Sequence, residues 1–285
     1  MAGAGGAGDE AQRAALRHGL SDLDARLDVD VERGPGARRR FERLVEQLRT
    51  PAAAFLRPEL EQRLARYVDA DDSLARDLLA HILAGACGEE ALPALLRAMV
   101  SDRNDDGDTL QLDVLDLLDA WPETSLRLVL DHVASDDPGT RLVGLWGLSV
   151  IDFGGTTYFG LIADAASDPE PRVRAEVMNT LGTIFGAGDP TQALAILIAG
   201  TEDAAPEVRS AAVAALHSSR DDTVTAILVA RAGDVDPRVR YSAAWSLARR
   251  PSSEARAALE RLTMDEDADV LAAARKALGP PTSSL

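Results

Sequence analysis

The residues of this chain best suited to chemistry, by type and spacing, are oxygen donors. In the stretch SDRNDDGDTLQLD, residues 101–113, Asp102, Asn104 and Asp106 stand at the first, third and fifth places of a twelve-residue pattern, with Gly107 at the sixth and Asp113 at the last. That is the spacing of a loop that wraps a calcium ion in oxygen ligands. Two features oppose it. The last place wants a bidentate Glu and holds the shorter Asp113, and Leu110 fills the ninth. Such a loop would also run into a helix over 107–120, whose Leu110, Leu112 and Leu115 are needed for packing. The stretch therefore reads as a long acidic turn, with a calcium site on Asp102, Asn104, Asp106 and Asp113 as the alternative.

Other candidate chemistry is thin. His18, His81, His132 and His217 are scattered, and none has a partner at metal-site spacing such as HExxH. His81 and Cys87 lie six residues apart across a helix end, which reads as a packed histidine and a buried thiol. GAGGAG at residues 3–8 matches the dinucleotide-loop pattern in form, but no strand precedes it. ARRRFER at residues 37–43 reads as a solvated helix face. With so many carboxylates, any pair of acids has no discriminating value. No cofactor and no catalytic residue is implied.

The elements that position these residues follow from composition and period. The chain has 285 residues, 46% hydrophobic but only 4% aromatic, and Ala and Leu dominate. That suits close-packed helices better than a sheet, which favours Val, Ile, Thr and aromatics. The formal charge is −17, and residues 51–285 carry all of the excess, with 21 basic against 38 acidic groups. Such a surface repels phosphate backbones and anionic lipid, so nucleic acid and membrane are not expected partners and a basic protein is. One cysteine excludes an intrachain disulfide and a multi-Cys metal site. The start MAGAGGAGDE lacks the features of a signal peptide, no apolar run reaches a membrane span, and a cytoplasmic, bacterial-type location is expected.

A repeat runs through most of the chain. DPEPRVRAEVMNTLG (168–182), DAAPEVRSAAVAALH (203–217), DVDPRVRYSAAWSLA (234–248) and DEDADVLAAARKALG (265–279) align on an Asp, a Pro or Ala before a helix, a Val–Arg pair and a later Leu. SDDPGTRLVGLWGLS (135–149) fits, and DGDTLQLDVLDLLD and DDSLARDLLAHILA fit more loosely. The anchor falls at residues 76, 111, 141, 174, 209, 240 and 271, in steps of 30 to 35. A period of that size marks stacked helix pairs. Pro at the first helical position lacks only an N–H that would be orphaned anyway, and the preceding Asp can cap others. Shorter amphipathic stretches such as EEALPALLRAMV, PTQALAILIAG and SSEARAALERLT supply the first helix of each pair. Seven pairs are expected over 58–279, preceded by a disordered Gly/Ala-rich start (1–8) and an N-terminal helical cap (9–57), and followed by a tail (280–285).

These segments resemble the HEAT-repeat family, in particular its short-repeat, phycobilisome-lyase-type members; DxxPxVRxxAxxAL is specific in the last four units and diluted in the first two. The resemblance implies an all-α fold, a right-handed α-solenoid of about seven helix pairs whose second helices line a concave face. It implies no particular activity, because the family is defined by its scaffold.

Within that frame two sets of residues stand out. Arg141, Arg174, Arg209 and Arg240 follow the buried Val position beside an Asp of an adjacent turn, and read as planar, charge-assisted pairs that fix repeat stacking. At 100° per residue, Val239, Ala243 and Leu247 point toward the paired helix, while Tyr241 and Trp245, one and five places after the anchor, point away. The same two places hold Leu142 and Trp146 in one unit, Ala175 and Asn179 in the next, and Leu112 and Asp116 in an earlier one, with Asp119 close by. Trp146 and Trp245 are three units apart, roughly 30 Å at usual helix spacings. Either these aromatics pack between neighbouring second helices, or they anchor a partner. The leading expectation is a non-enzymatic scaffold or adaptor, in sharper form an inhibitor or immunity-type protein that neutralises a basic effector. The alternative, from the resemblance, is a lyase or chaperone-like protein acting on a bilin or another bound group.

Overall fold

The structure is a computed structural model that describes residues 4–27, 35–101, 109–151, 157–184, 190–219 and 221–279. Among them are helices and turns and no strand. The chain divides into two compact units, Met1–Leu128 and Val129–Leu285. The expected acidic loop falls almost wholly outside the described residues: of its candidate ligands Asp102, Asn104, Asp106 and Asp113, only Asp113 is described.

In the first unit, α1 (Ala4–Leu27) and α2 (Pro35–Leu48) are followed by a 3-10 segment, Pro51–Leu56, and by α3 (Arg57–Asp69), α4 (Ser73–Cys87), α5 (Leu92–Val100) and α6 (Thr109–Ala120). Helix α1 already runs from Ala4, so residues 4–8 are helical rather than the unstructured start that their glycines suggest. Alanine favours the helix, and the i,i+4 pair of Asp9 and Arg13 at 3.6 Å supports its next turn. Leu16, Leu20, Leu23, Val45 and Leu48 are buried, so α1 and α2 share in the core that also holds Leu56, Leu60 and Leu64.

The span Ser73–Val100 is long and apolar enough to cross a membrane by length and composition, with mean hydropathy 1.2, contrary to the expectation from the sequence. It folds instead as α4, a 3-10 turn at Gly88–Ala91 and α5. Gly88 turns the chain at φ 54°, a conformation that costs a residue with a Cβ. Leu79, Ile82, Leu83, Leu92, Leu95 and Leu96 are all fully buried in the protein core, which accounts for the hydropathy without a membrane.

Helix α7 (Pro122–Val133) carries the boundary between the units. The second unit continues with α8 (Pro138–Ile151), α9 (Phe159–Ala165), α10 (Pro171–Ile184), α11 (Pro190–Gly200), α12 (Pro206–Ala215), α13 (Thr223–Arg231), α14 (Pro237–Leu247), α15 (Ser253–Leu262) and α16 (Ala268–Leu278). From α3 onward the helices alternate as first and second members of pairs, in the register of the repeat. The second helices α8, α10, α12 and α14 each pack on the next, ending at α16. Val173, Val177 and Leu181 of α10, Val208 and Ala212 of α12, and Val239, Ala243 and Leu247 of α14 are fully buried, so one stripe of every second helix is core.

Prolines start α8, α10, α12 and α14. The leading Asp of each repeat turn is not the N-cap itself. Asp168, Asp203, Asp234 and Asp265 accept from the backbone N–H two residues on, at Glu170, Ala205, Asp236 and Asp267, and so close the turn before the helix. In the last two units a second aspartate caps: Asp236 accepts from Arg238 N and Asp267 from Asp269 N and Val270 N.

Small residues set the helix spacing. A Cβ on Gly144 would stand 2.5 Å from the Val133 nitrogen, and one on Gly182 would stand 2.8 Å from the Ala215 Cβ. Helix α8 thus meets α7, and α10 meets α12, close to backbone contact.

Candidate docking face on the second helices

The four repeat arginines are held identically. The Arg141 Nε and Nη2 donate to Asp168 Oδ2 and Oδ1 at 2.8 and 2.9 Å, and its Nη1 donates to the Ser135 and Asp136 carbonyls. Arg174 takes Asp203, Arg209 takes Asp234 and Arg240 takes Asp265 in the same bidentate geometry, each pair at 2.8–2.9 Å. Each guanidinium therefore ties its own turn's carbonyls to the carboxylate of the next turn. Burial is the largest single influence on Asp168 and Asp234 and opposes their ionisation, but the arginine hydrogen bonds, the backbone hydrogen bonds and the nearby arginine charges together outweigh it. All four carboxyls lie below the usual carboxylate range. With four of the five N–H donors of each guanidinium spent on the chain itself, the ladder offers little to an external anion. It ends where Leu271 replaces the arginine.

On α14, Tyr241 is 45% and Trp245 37% exposed, away from the Val239–Ala243–Leu247 stripe. The His217 ring meets the Trp245 ring edge-on at 4.6 Å, and the Arg249 guanidinium lies over it at 3.7 Å. One face of Trp245 is thus already covered by a cation of the chain, and its surroundings are basic. Tyr241 has acidic surroundings. It lines a cleft of about 500 Å³ with Ser210, Pro237, Arg238, Ser242, Asp267 and Asp269. The Ser210 and Ser242 hydroxyls are 2.9 Å apart and close the cleft floor between α12 and α14.

Trp146 and Leu142 on α8 are half-buried, and Asn179 on α10 is exposed, its Nδ2 3.4 Å from Glu176 Oε2. Asp116 and Asp119 are exposed on α6 in the first unit, so they and the aromatics Trp146, Tyr241 and Trp245 belong to different units. Leu112 is 58% exposed, and the core duty expected of it falls to Leu110.

Three features were not read from the sequence. Asp113, the last candidate calcium ligand, lies buried on α6 and its Oδ1 is 2.8 Å from His81 Nδ1 on α4. That pairing turns it into the helix layer and takes one oxygen from any ion. Burial raises the Asp113 pKa, against the lowering effect of the His81 hydrogen bond. Glu176 occupies the same repeat place on α10, two after the anchor, on the side that packs on α8. Desolvation pushes its carboxyl up to about 7, and Asn179 only partly offsets this. The other units hold Leu78, Val143, Ala211, Ser242 and Ala273 at that place, so an acid there was a visible departure from pattern. Third, Trp121, 43% exposed, sits over Gly88.

The Cys87 thiol is held in its protonated, weakly nucleophilic form, because burial pushes it up to about 11. His81 is committed to Asp113 rather than to Cys87. Arg39 and Arg40 of the basic stretch are exposed on α2. Among the described residues no group of three His, Cys, Asp or Glu side chains is arranged to hold a metal.

Helix pairs in one register, stacked through second helices and bound by a repeating Arg–Asp ladder, define an α-solenoid repeat scaffold. The family described as HEAT repeats matches residues 126–217 and 194–279, more than half of the chain. The chain belongs to the HEAT-repeat family. Among solved structures, a mutant of Kap121p is similar at 16% identity and TM-score 0.55, over 81% of this chain; the chain spans 29% of that protein's length. A designed armadillo repeat protein in complex with the peptide (KR)4 is similar at 19% identity and TM-score 0.40, over 78% of this chain and 100% of the other. Human deoxyhypusine hydroxylase is similar at 17% identity and TM-score 0.36, over 96% and 98%. No curated protein sequence matches the chain.

Proposed function

We propose that the chain is a non-enzymatic protein-binding scaffold whose second-helix face in the Val129–Leu285 unit docks a basic protein. The observation that carries this reading is on α14: Tyr241 and Trp245 remain partly exposed, and Tyr241 lines a cleft whose uncommitted carboxylate is that of Asp269. Exposed aromatics next to a polar rim are the usual anchors of protein interfaces. A stacked, hydrogen-bonded scaffold loses little conformational entropy when it binds, so a modest contact area suffices. The net charge of −17 favours encounter with a cationic partner. An inhibitor or immunity-type role is the sharper form of this reading and draws on the same charge.

The test is affinity capture from a source lysate with the full chain and with its Tyr241→Ala/Trp245→Ala double variant, resolved by mass spectrometry across a salt series. The expected result is one or a few cationic proteins retained at low salt, released as salt rises, and lost with the double variant. Equal capture by the variant contradicts the reading.

A further inference from the structure

We propose that the Tyr241 cleft is a receptor for a single guanidinium: an arginine side chain of the partner stacks on the Tyr241 ring and pairs with Asp269. The inference rests on the docking reading and deepens it by assigning one subsite and its ligand chemistry.

The argument begins with a contrast within α14. Trp245 has a cation on its face, Arg249 at 3.7 Å, supplied one turn later by the same chain. Elsewhere among the described residues Phe55 is covered by Arg13 and Arg17, and Tyr67 by Arg66. Tyr241 is 45% exposed, and among the described residues no cation lies over it. The chain therefore uses arginine–ring stacking repeatedly and leaves the exposed Tyr241 ring without such a partner among the described residues. That ring opens into a cleft of about 500 Å³, within the size range of small-ligand sites and roomy for one long side chain.

The charges around the cleft point the same way. Arg238, the cation on its wall, is folded back on Asp236, with Nη2 2.9 Å from Oδ2 and Nε 3.1 Å from Oδ1, and does not neutralise the other acids. Asp267 spends Oδ1 on the Asp269 and Val270 backbone nitrogens. Asp269 is exposed in the first turn of α16 with no ion pair among the described residues. The Ser210–Ser242 hydroxyl pair adds acceptors on the floor. A ring face, an unpaired carboxylate and hydroxyl acceptors suit a planar, five-donor guanidinium, which stacks and forks at once. A neutral amide of the same shape gains neither charge term. A carboxylate or phosphate is repelled.

The chain has three tyrosines, so 3-fluorotyrosine labelling gives three fluorine resonances, with Tyr241→Phe identifying the one of interest. The probe is N-acetyl-arginine amide, with its isosteric citrulline analogue as control. The expected result is a saturable shift confined to the Tyr241 signal, weakened about tenfold or more for citrulline. Asp269→Asn should weaken the arginine response several-fold while leaving the melting temperature unchanged. An equal response to citrulline, equal shifts at all three tyrosines, or no response to arginine overturns the proposal. If arginine fails to bind but Tyr241→Ala/Trp245→Ala still abolishes partner capture, this subsite is wrong and the docking reading stands. If capture ignores the double variant, the docking reading has failed by itself.

Discussion

The guanidinium of Arg209 lies fork-to-fork on the carboxylate of Asp234, Nε to Oδ2 at 2.9 Å and Nη2 to Oδ1 at 2.8 Å, across 25 residues of chain. The side chains are 12% and 5% exposed, so the pair is shielded from the solvent that weakens surface ion pairs. Arg209 also holds the Asp203 and Ala204 carbonyls, which makes it a bolt between consecutive turns.

Removing such a bolt should loosen the stack. Arg209→Ala leaves Asp234 without its main partner and should lower stability by about 2–4 kcal/mol, read from urea unfolding. Arg209→Lys keeps the charge but loses the fork and should cost about half as much. The lowered native pKa values of Asp168, Asp203, Asp234 and Asp265 give stability that is complete above the unfolded carboxylate value, about 3.9, and lost as pH falls through the native values. Acid unfolding of the wild type should therefore begin below about pH 4, and Arg209→Ala should make it less steep.

Glu176 has the opposite sign. Its native pKa of about 7 lies above the ordinary 4.5, so the folded protein binds the proton more tightly than the unfolded chain. Stability from this group is greatest below pH 4.5 and falls as pH rises toward 7. Part of the residue reaches solvent, which keeps the effect near 1–2 kcal/mol. Glu176→Gln should match the wild type at pH 4 and exceed its stability by that amount at pH 8. Parallel curves for the two proteins would show that the carboxyl is not desolvated.

The sequence made the frame legible because Asp, Pro, Val and Arg each obey a local rule: a turn acceptor, a first helical residue, a buried stripe and a fixed fork. The structure puts those residues on the turns and stripes of α8, α10, α12 and α14. The site was less legible because its contacts are lateral. His217 reaches Trp245, and Asp113 reaches His81, across 28 and 32 residues, and no spacing within one helix announces either. The basic setting of Trp245 follows from Arg249, one turn after it and one residue beyond the repeat motif. A search for residues that break the frame would have found Asp113 and Glu176, the two acids at a place otherwise held by Leu, Val, Ala or Ser.

The His81–Asp113 pair is a structural joint between α4 and α6. His81→Ala leaves Asp113 buried, with neither oxygen hydrogen-bonded, and should cost about 2–4 kcal/mol in thermal or urea unfolding. His81→Ala/Asp113→Leu should recover most of that loss, because the buried charge goes with its partner.

Gly144 tests the close approach of α8 to α7. Its missing Cβ would meet backbone atoms, the Val133 nitrogen at 2.5 Å and the His132 carbonyl carbon at 2.9 Å, which cannot swing aside. Gly144→Ala should destabilise by about 1–3 kcal/mol despite the better helix propensity of alanine. Gly160→Ala, with nothing within 4 Å, should not destabilise.

The central claim is that the chain works through the second-helix face of its Val129–Leu285 unit. The most direct measurement is hydrogen–deuterium exchange by mass spectrometry on the captured complex against the free chain. The account predicts slowed exchange concentrated in α14 (237–247), its flank at 248–250 and the first turn of α16. Slowed exchange confined to the first helices α11, α13 and α15, with α14 unchanged, would contradict it.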